Sequence, residues 1–287
     1  MDNFNLDALS EKLKTGKIAL LDADFIKYEV CSIYKKKIVE SGLEERRYIS
    51  ENPIQELLES YLFNVIFKKI DDPIIFCFSG KSFNTFRAFV SFDKEYKGNR
   101  KIKEESYHGE YNDSILIVKY FTEKYATLIF ADLEADDIVS ALQNEYTYIY
   151  SKDKDLKQVP GFHYDFEKNE IYEITNKDAI YNLSMQLLMG DSTDNISGFP
   201  GIGEVGAKKF LSEVVDSNGN IMHSQFIYQV LKAYQKKFGV FKGTDMFVEA
   251  WNLVKTRIER GEYFLSKYKK MYDTREYFIN VIKAVLK

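Results

Sequence analysis

The sequence predicts an α/β protein with a mostly parallel sheet, helices on both of its faces, and a mainly helical C-terminal part. Two observations carry this. Short apolar runs alternate with stretches of helical periodicity over the first 160 or so residues, and three of the four runs end in acidic residues. From Lys177 onward the pattern is helical throughout.

The elements follow in order. Lys17 to Asp24 (KIALLDAD) is a short apolar run closed by two aspartates, and Asp72 to Gly80 (DPIIFCFSG) has the same form with a polar stop. A helical pattern, Glu51 to Ile70, separates them, and a second covers Ser114 to Tyr125. Apolar residues 127–131 form the third strand, with Glu134, Asp136 and Asp137 opening a helix behind it. TYIY forms the fourth, with Asp153 and Asp155 just past its end. HYDFEKNEIYEIT then reads as a hairpin turning near Lys168 and Asn169. A soft boundary near Ile180 divides the chain into 1–180 and 181–287, and no Pro/Gly/Ser-rich linker marks it.

Composition narrows the class. With 45% hydrophobic and 15% aromatic residues the chain can build a sizeable core, which excludes disorder as the main theme. No apolar run approaches the roughly 20 residues of a membrane helix, so a cytoplasmic protein with no membrane contact is expected. Cys31 and Cys77 lie far apart in apolar surroundings and read as buried, reduced thiols. Net charge is −4, but it is segregated: Leu231 to Lys287 carries +7 and the remainder −11.

The acids carry the chemistry. Asp22, Asp24, Glu134, Asp136, Asp137, Asp153 and Asp155 all fall at the carboxyl ends of the expected strands, the edge at which open α/β sheets bind ligands. Each small cluster has an ordinary explanation: acids favour the first turn of a helix, and loop acids are commonly solvated. Gathered at one edge they repel one another unless cations intervene. All-oxygen donors select Mg²⁺ or Mn²⁺, and the three histidines are too scattered for zinc. Two such ions suit in-line displacement at phosphorus.

Lys81 to Lys103 places Phe83, Phe86, Phe89, Phe92 and Tyr96 at the spacing of one helical stripe, expected to pack against the core, with base stacking by one or two of them as the alternative. Its cations, among them Arg87, Lys97 and Arg100, stand where they can hold a phosphate that carboxylates alone repel. Gly201 to Gly206 (GIGEVG) matches a dinucleotide fingerprint letter for letter, but the polar turn before it is no strand. Gly201, Gly203 and Gly206 with Lys208 and Lys209 suit instead a grip on a nucleic-acid backbone.

LLDAD, SGKSFNTFR followed by EYKGNR, LEADD, SKDKD and GDSTDNISGFPGIGEVGAKKFL occur here in an order that resembles the flap endonuclease and 5′-3′ exonuclease family, most closely its phage and bacterial members. The resemblance spans roughly Ile18 to Leu211. It implies a PIN-like nuclease core with a helical arch at about 81–113 and a helix-three-turn-helix in the DNA-binding part. It also implies Asp22, Glu134 and Asp136, with Asp137 close by, as ligands of a first metal, and Asp153, Asp155, Asp191 and Asp194 as a second group. Lys97 and Arg100 resemble the phosphate-steering pair of the arch, and the glycine turn resembles the duplex grip, where relatives hold a monovalent cation such as K⁺.

One departure stands out: FSG replaces the family's usual FDG, so Ser79 stands where an aspartate is common, and Asp24 is the candidate to supply the missing charge. The expected function is a monomeric structure-specific 5′ nuclease of replication or repair, acting by two metal ions at a 5′ flap or 5′ end of DNA, or on RNA in a hybrid. It would leave 5′-phosphate and 3′-hydroxyl. The alternative is a branched-DNA binder whose first metal site the Ser79 change has weakened.

Overall fold

A computed structural model describes residues 17–40, 51–80, 86–99, 108–130 and 133–256. A six-stranded sheet forms its centre, in the order β3-β2-β1-β4-β5-β6. The strands are β1 (Ile18–Asp22), β2 (Ile74–Ser79), β3 (Thr127–Phe130), β4 (Thr147–Tyr150), β5 (Gly161–Asp165) and β6 (Glu170–Ile174). All neighbours pair in parallel except β5 with β6.

Alternation along the strands explains why both faces are covered. Ala19, Leu21, Phe76 and Phe78 point to one buried cluster, and Ile18, Leu20, Ile75 and Cys77 to another. The first is closed by α1 (Asp24–Glu40), α2 (Glu51–Tyr61), which runs on as a π-helical turn through Phe67, and α4 (His108–Lys124). The second is closed by α5 (Ala135–Leu142) through Ala135, Ile138, Val139 and Leu142.

The hairpin expected at 163–175 is present: Asp165 accepts the Glu167 and Lys168 amides, and Asn169 takes a φ of 53°. Its first strand extends the main sheet, which the four-strand reading did not foresee.

The helical part contains α6 (Asn176–Met189), α7 (Glu204–Ser212), α8 (Phe226–Phe238) and α9 (Val240–Val254) around a third apolar cluster. Ile180, the expected boundary, lies inside α6. A two-residue ribbon, β7 (Gly190–Asp191) with β8 (Ile196–Ser197), carries the loop that holds Asp194. Gly190 and Gly198 let this ribbon close: a Cβ on Gly198 would lie 2.2 Å from the Met189 carbonyl carbon, and one on Gly190 2.3 Å from the Gly198 amide.

The aromatic stripe does not form as expected. Helix α3 covers only Phe86–Val90, and the chain then leaves the helix, so Phe89 and Phe92 stand 72% and 83% exposed while Tyr96 is buried among the C-terminal helices. Phe83 and Arg100 lie outside the described residues, as does the basic segment beyond Thr256. Both cysteines are buried. Among the described residues no helix is long and apolar enough to cross a membrane.

Candidate functional site

The parallel register sets Asp22, Ser79 and the segment after β4 on one edge. Asp22 is buried at the end of β1, where it accepts the Ser151 hydroxyl (3.0 Å) and the Asp24 amide (3.3 Å). Asp24 Oδ1 accepts the Ser79 amide at 3.1 Å and pairs with Lys27 at 2.6 Å. Asp24 therefore lies directly beside Ser79. Ser79 has a separate role, since its Oγ accepts the Ala135 amide (2.9 Å) at the start of α5.

That contact positions the acids of α5. Glu134 takes three donors: Lys97 Nζ on Oε1 (2.8 Å), and Tyr96 Oη (2.9 Å) and Arg87 Nη1 (3.2 Å) on Oε2. Lys97 also stands 3.7 Å from Asp194 Oδ2, and its amide donates to the Asp194 carbonyl (2.9 Å). Its φ of 56° is unusual for a lysine. Tyr96 bridges Glu134 and Asp194 through its hydroxyl.

Asp136, Asp155, Asp191 and Asp194 line one cleft, together with Arg87, Tyr96 and Gln186. Asp153 accepts the Asp155 amide (2.8 Å), and Asp191 accepts those of Thr193 (2.7 Å) and Asp194 (3.3 Å). The edge thus gathers the sequence-predicted acids from distant segments. Asp137 and Arg87 are arranged differently from expectation: Asp137 is wholly buried with both oxygens on the Arg87 guanidinium, and Arg87 is 1% exposed. Arg87 is thus enclosed by the acids it pairs with while still lining the cleft.

Crowding shows in the proton affinities. Burial, then Asp24 and Asp153, push Asp22 up to about 7. Burial, then Asp153 and Asp191, push Asp155 up to about 7. Burial and the neighbouring Asp137 hold Asp136 well above the usual carboxylate range. Burial acts on Glu134 in the same direction, but Arg87 and Lys97 outweigh it and hold its carboxyl low. Carboxylates that repel one another in this way fit a hard divalent cation in charge and donor type. Among the described residues no three side chains stand in a ready ligating arrangement.

The glycine turn lies after β8. Gly201 has a φ of 86° and, like Gly203, open space where a side chain would stand; Gly206 follows within α7. Lys209 is exposed, and Lys208 is exposed but paired with Glu204 at 2.6 Å. Lys237 donates to the Pro200 carbonyl at 2.9 Å. Sequence reasoning missed Ser151, Gln158 and Gln186, because neutral side chains leave no charge pattern to read.

No family model matches the chain. It is 27% identical over 158 residues to a 5′-3′ exonuclease of Mycoplasmopsis pulmonis (strain UAB CTIP), covering 46% of this chain and 52% of that one. It is 31% identical over 149 residues to a 5′-3′ exonuclease of Buchnera aphidicola subsp. Schizaphis graminum (strain Sg), covering 43% and 51%. The matched region spans about half the length of these relatives. The fold is similar to that of a bacteriophage T5 D15 flap endonuclease variant, solved as a pseudo-enzyme–product complex with DNA and metal ions: TM-score 0.58, 16% identity, 94% of this chain and 98% of that one. The sequence matches are to 5′-3′ exonucleases and the shared fold is that of a flap endonuclease, the same similarity that the motifs carry.

Proposed function

We propose that this chain is a metal-dependent 5′ nuclease that hydrolyses phosphodiesters at a 5′ flap or 5′ end of DNA, or in RNA of a hybrid. The observation that supports it is Lys97 set between Glu134 and Asp194 at an edge otherwise crowded with carboxylates. Asp22, Glu134 and Asp136 would hold one divalent ion, Mg²⁺ or Mn²⁺, with Asp24 contributing charge; Asp153, Asp155, Asp191 and Asp194 would hold a second. Bound there, such ions supply an activated water and stabilise the charge of in-line displacement, which yields 5′-phosphate and 3′-hydroxyl ends.

The chain's own residues do the rest. Lys97 places a positive charge where a phosphate must approach, and Arg100 would join it from the arch. Arg87 keeps Glu134 and Asp137 in place. The turn at Gly201, Gly203 and Gly206, with Lys208 and Lys209, offers main-chain amides and ammonium groups to the duplex backbone. Division near residue 180 into a nuclease core and a duplex-holding part belongs to this reading, as do a monomeric state and a K⁺ at the turn.

Incubating the protein with a labelled 5′-flap substrate, with and without Mg²⁺ or Mn²⁺, tests it. Metal-dependent cleavage is expected; tight flap binding with no turnover favours instead the weakened branched-DNA binder. That second reading draws on Ser79, a neutral hydroxyl whose oxygen accepts the Ala135 amide.

A further inference from the structure

Behind Asp155 runs a chain of hydrogen bonds that begins at the end of α9. The Thr256 amide donates to Gln158 Oε1 (3.0 Å), and Gln158 Nε2 donates both to Val254 O (3.0 Å) and to Gln186 Oε1 (3.0 Å). Gln186 Nε2 then donates to Asp155 Oδ1 at 2.6 Å. A main-chain amide can only donate and a carbonyl can only accept, so the two main-chain ends decide which way round each side-chain amide sits. Thr256 requires the oxygen of Gln158, and Val254 requires its nitrogen. That nitrogen in turn faces the oxygen of Gln186, which leaves the Gln186 N–H groups for Asp155. The chain has one polarity, and it ends in a donor aimed at one carboxylate oxygen.

A neutral donor here differs in effect from a cation. Arg87 neutralises the acid it holds, whereas an amide orients Asp155 and leaves its negative charge for an ion. The same helix end serves both: Leu253 O and Lys255 O accept from Arg87, and Val254 O between them accepts from Gln158. The carbonyls of Leu253 and Val254 lie in the last turn of α9, where the helix itself provides no donors, and that of Lys255 lies just past it.

We propose that Gln158 and Gln186 are positioning residues that hold Asp155 in one orientation at the cleft it shares with Asp136, Asp191 and Asp194, and that they couple this orientation to the end of α9. The proposal rests on the metal-dependent reading given above. Neither glutamine belongs to the acidic motifs.

The test measures Mn²⁺ binding to the full chain by the loss of the free-ion electron paramagnetic resonance signal. Q186M and Q158M are each expected to weaken binding about 10–100-fold. Because the two act in series, the double variant is expected to bind no more weakly than Q186M alone. Wild-type affinity in a folded Q186M, or losses that simply add in the double variant, overturns the relay while leaving the nuclease reading intact. A wild-type chain that takes up no Mn²⁺ removes both. Should the variants fail to fold, Mg²⁺ titration of the wild type supplies the answer: the Gln186 side-chain amide resonances are expected to shift, and unmoved resonances overturn the proposal.

Discussion

Arg87 forks onto Asp137, with Nη1 2.7 Å from Oδ2 and Nη2 2.8 Å from Oδ1, and almost no solvent reaches either side chain. Removing one member of such a pair leaves the other charged and unpaired in a medium that solvates it poorly. Arg87→Met is therefore expected to cost about 3–5 kcal/mol of stability. Arg87→Lys should recover only part of this, because an ammonium cannot match both oxygens at once. Urea unfolding of the metal-free protein checks it, and a midpoint equal to wild type in Arg87→Met contradicts the structural role.

Asp22 and Asp155 both bind protons more tightly in the folded chain than their ordinary value of 3.8, at about 7. Between those limits the native state holds protons that the unfolded state has released, so stability falls as pH rises through the interval. Without divalent ions the melting temperature is expected to drop on going from about pH 5 to pH 8, and saturating Mg²⁺ should flatten the profile. A metal-free melting temperature that climbs over the same range would falsify the assignment.

Lys97 puts its ammonium between Glu134 and Asp194. If it stabilises phosphate charge during cleavage, Lys97→Met should lower kcat by about 10²–10³, with a smaller change in flap affinity. Lys97→Arg should restore part of the rate. Single-turnover assays separate the two quantities, and an undiminished rate in Lys97→Met rules the role out.

Asp24 accepts the Ser79 amide and lies next to Asp22. Asp24→Asn is expected to weaken Mg²⁺ binding, and adding Ser79→Asp should recover it by returning a carboxylate to the same corner. Calorimetric titration measures both. Unchanged affinity in Asp24→Asn means that Asp24 contributes no charge to the ion.

Much of the sheet and its acidic edge was legible in the sequence, because apolar runs closed by acids obey local rules. Asp22, Asp136 and Asp155 fall where strand ends place them, and Asn169 marks its hairpin turn by chemistry alone. The aromatic spacing misled: periodicity from Phe83 to Tyr96 suggested one helix, yet Tyr96 is drawn into the C-terminal cluster and the helix at Phe86–Val90 stops short of it. The burial of Arg87 was also beyond reach, since it depends on carbonyls of Leu253 and Lys255 more than 160 positions away. Local pattern carries no trace of such a partner.

Gly190 and Gly198 cross with no space for even a methyl group between them. The contact works like a rivet: the strip bearing Asp191 and Asp194 is fastened directly to the segment that continues into the Gly201 turn. Under the proposed duplex-holding role of the turn, a load applied there would reach these two acids through this close main-chain contact.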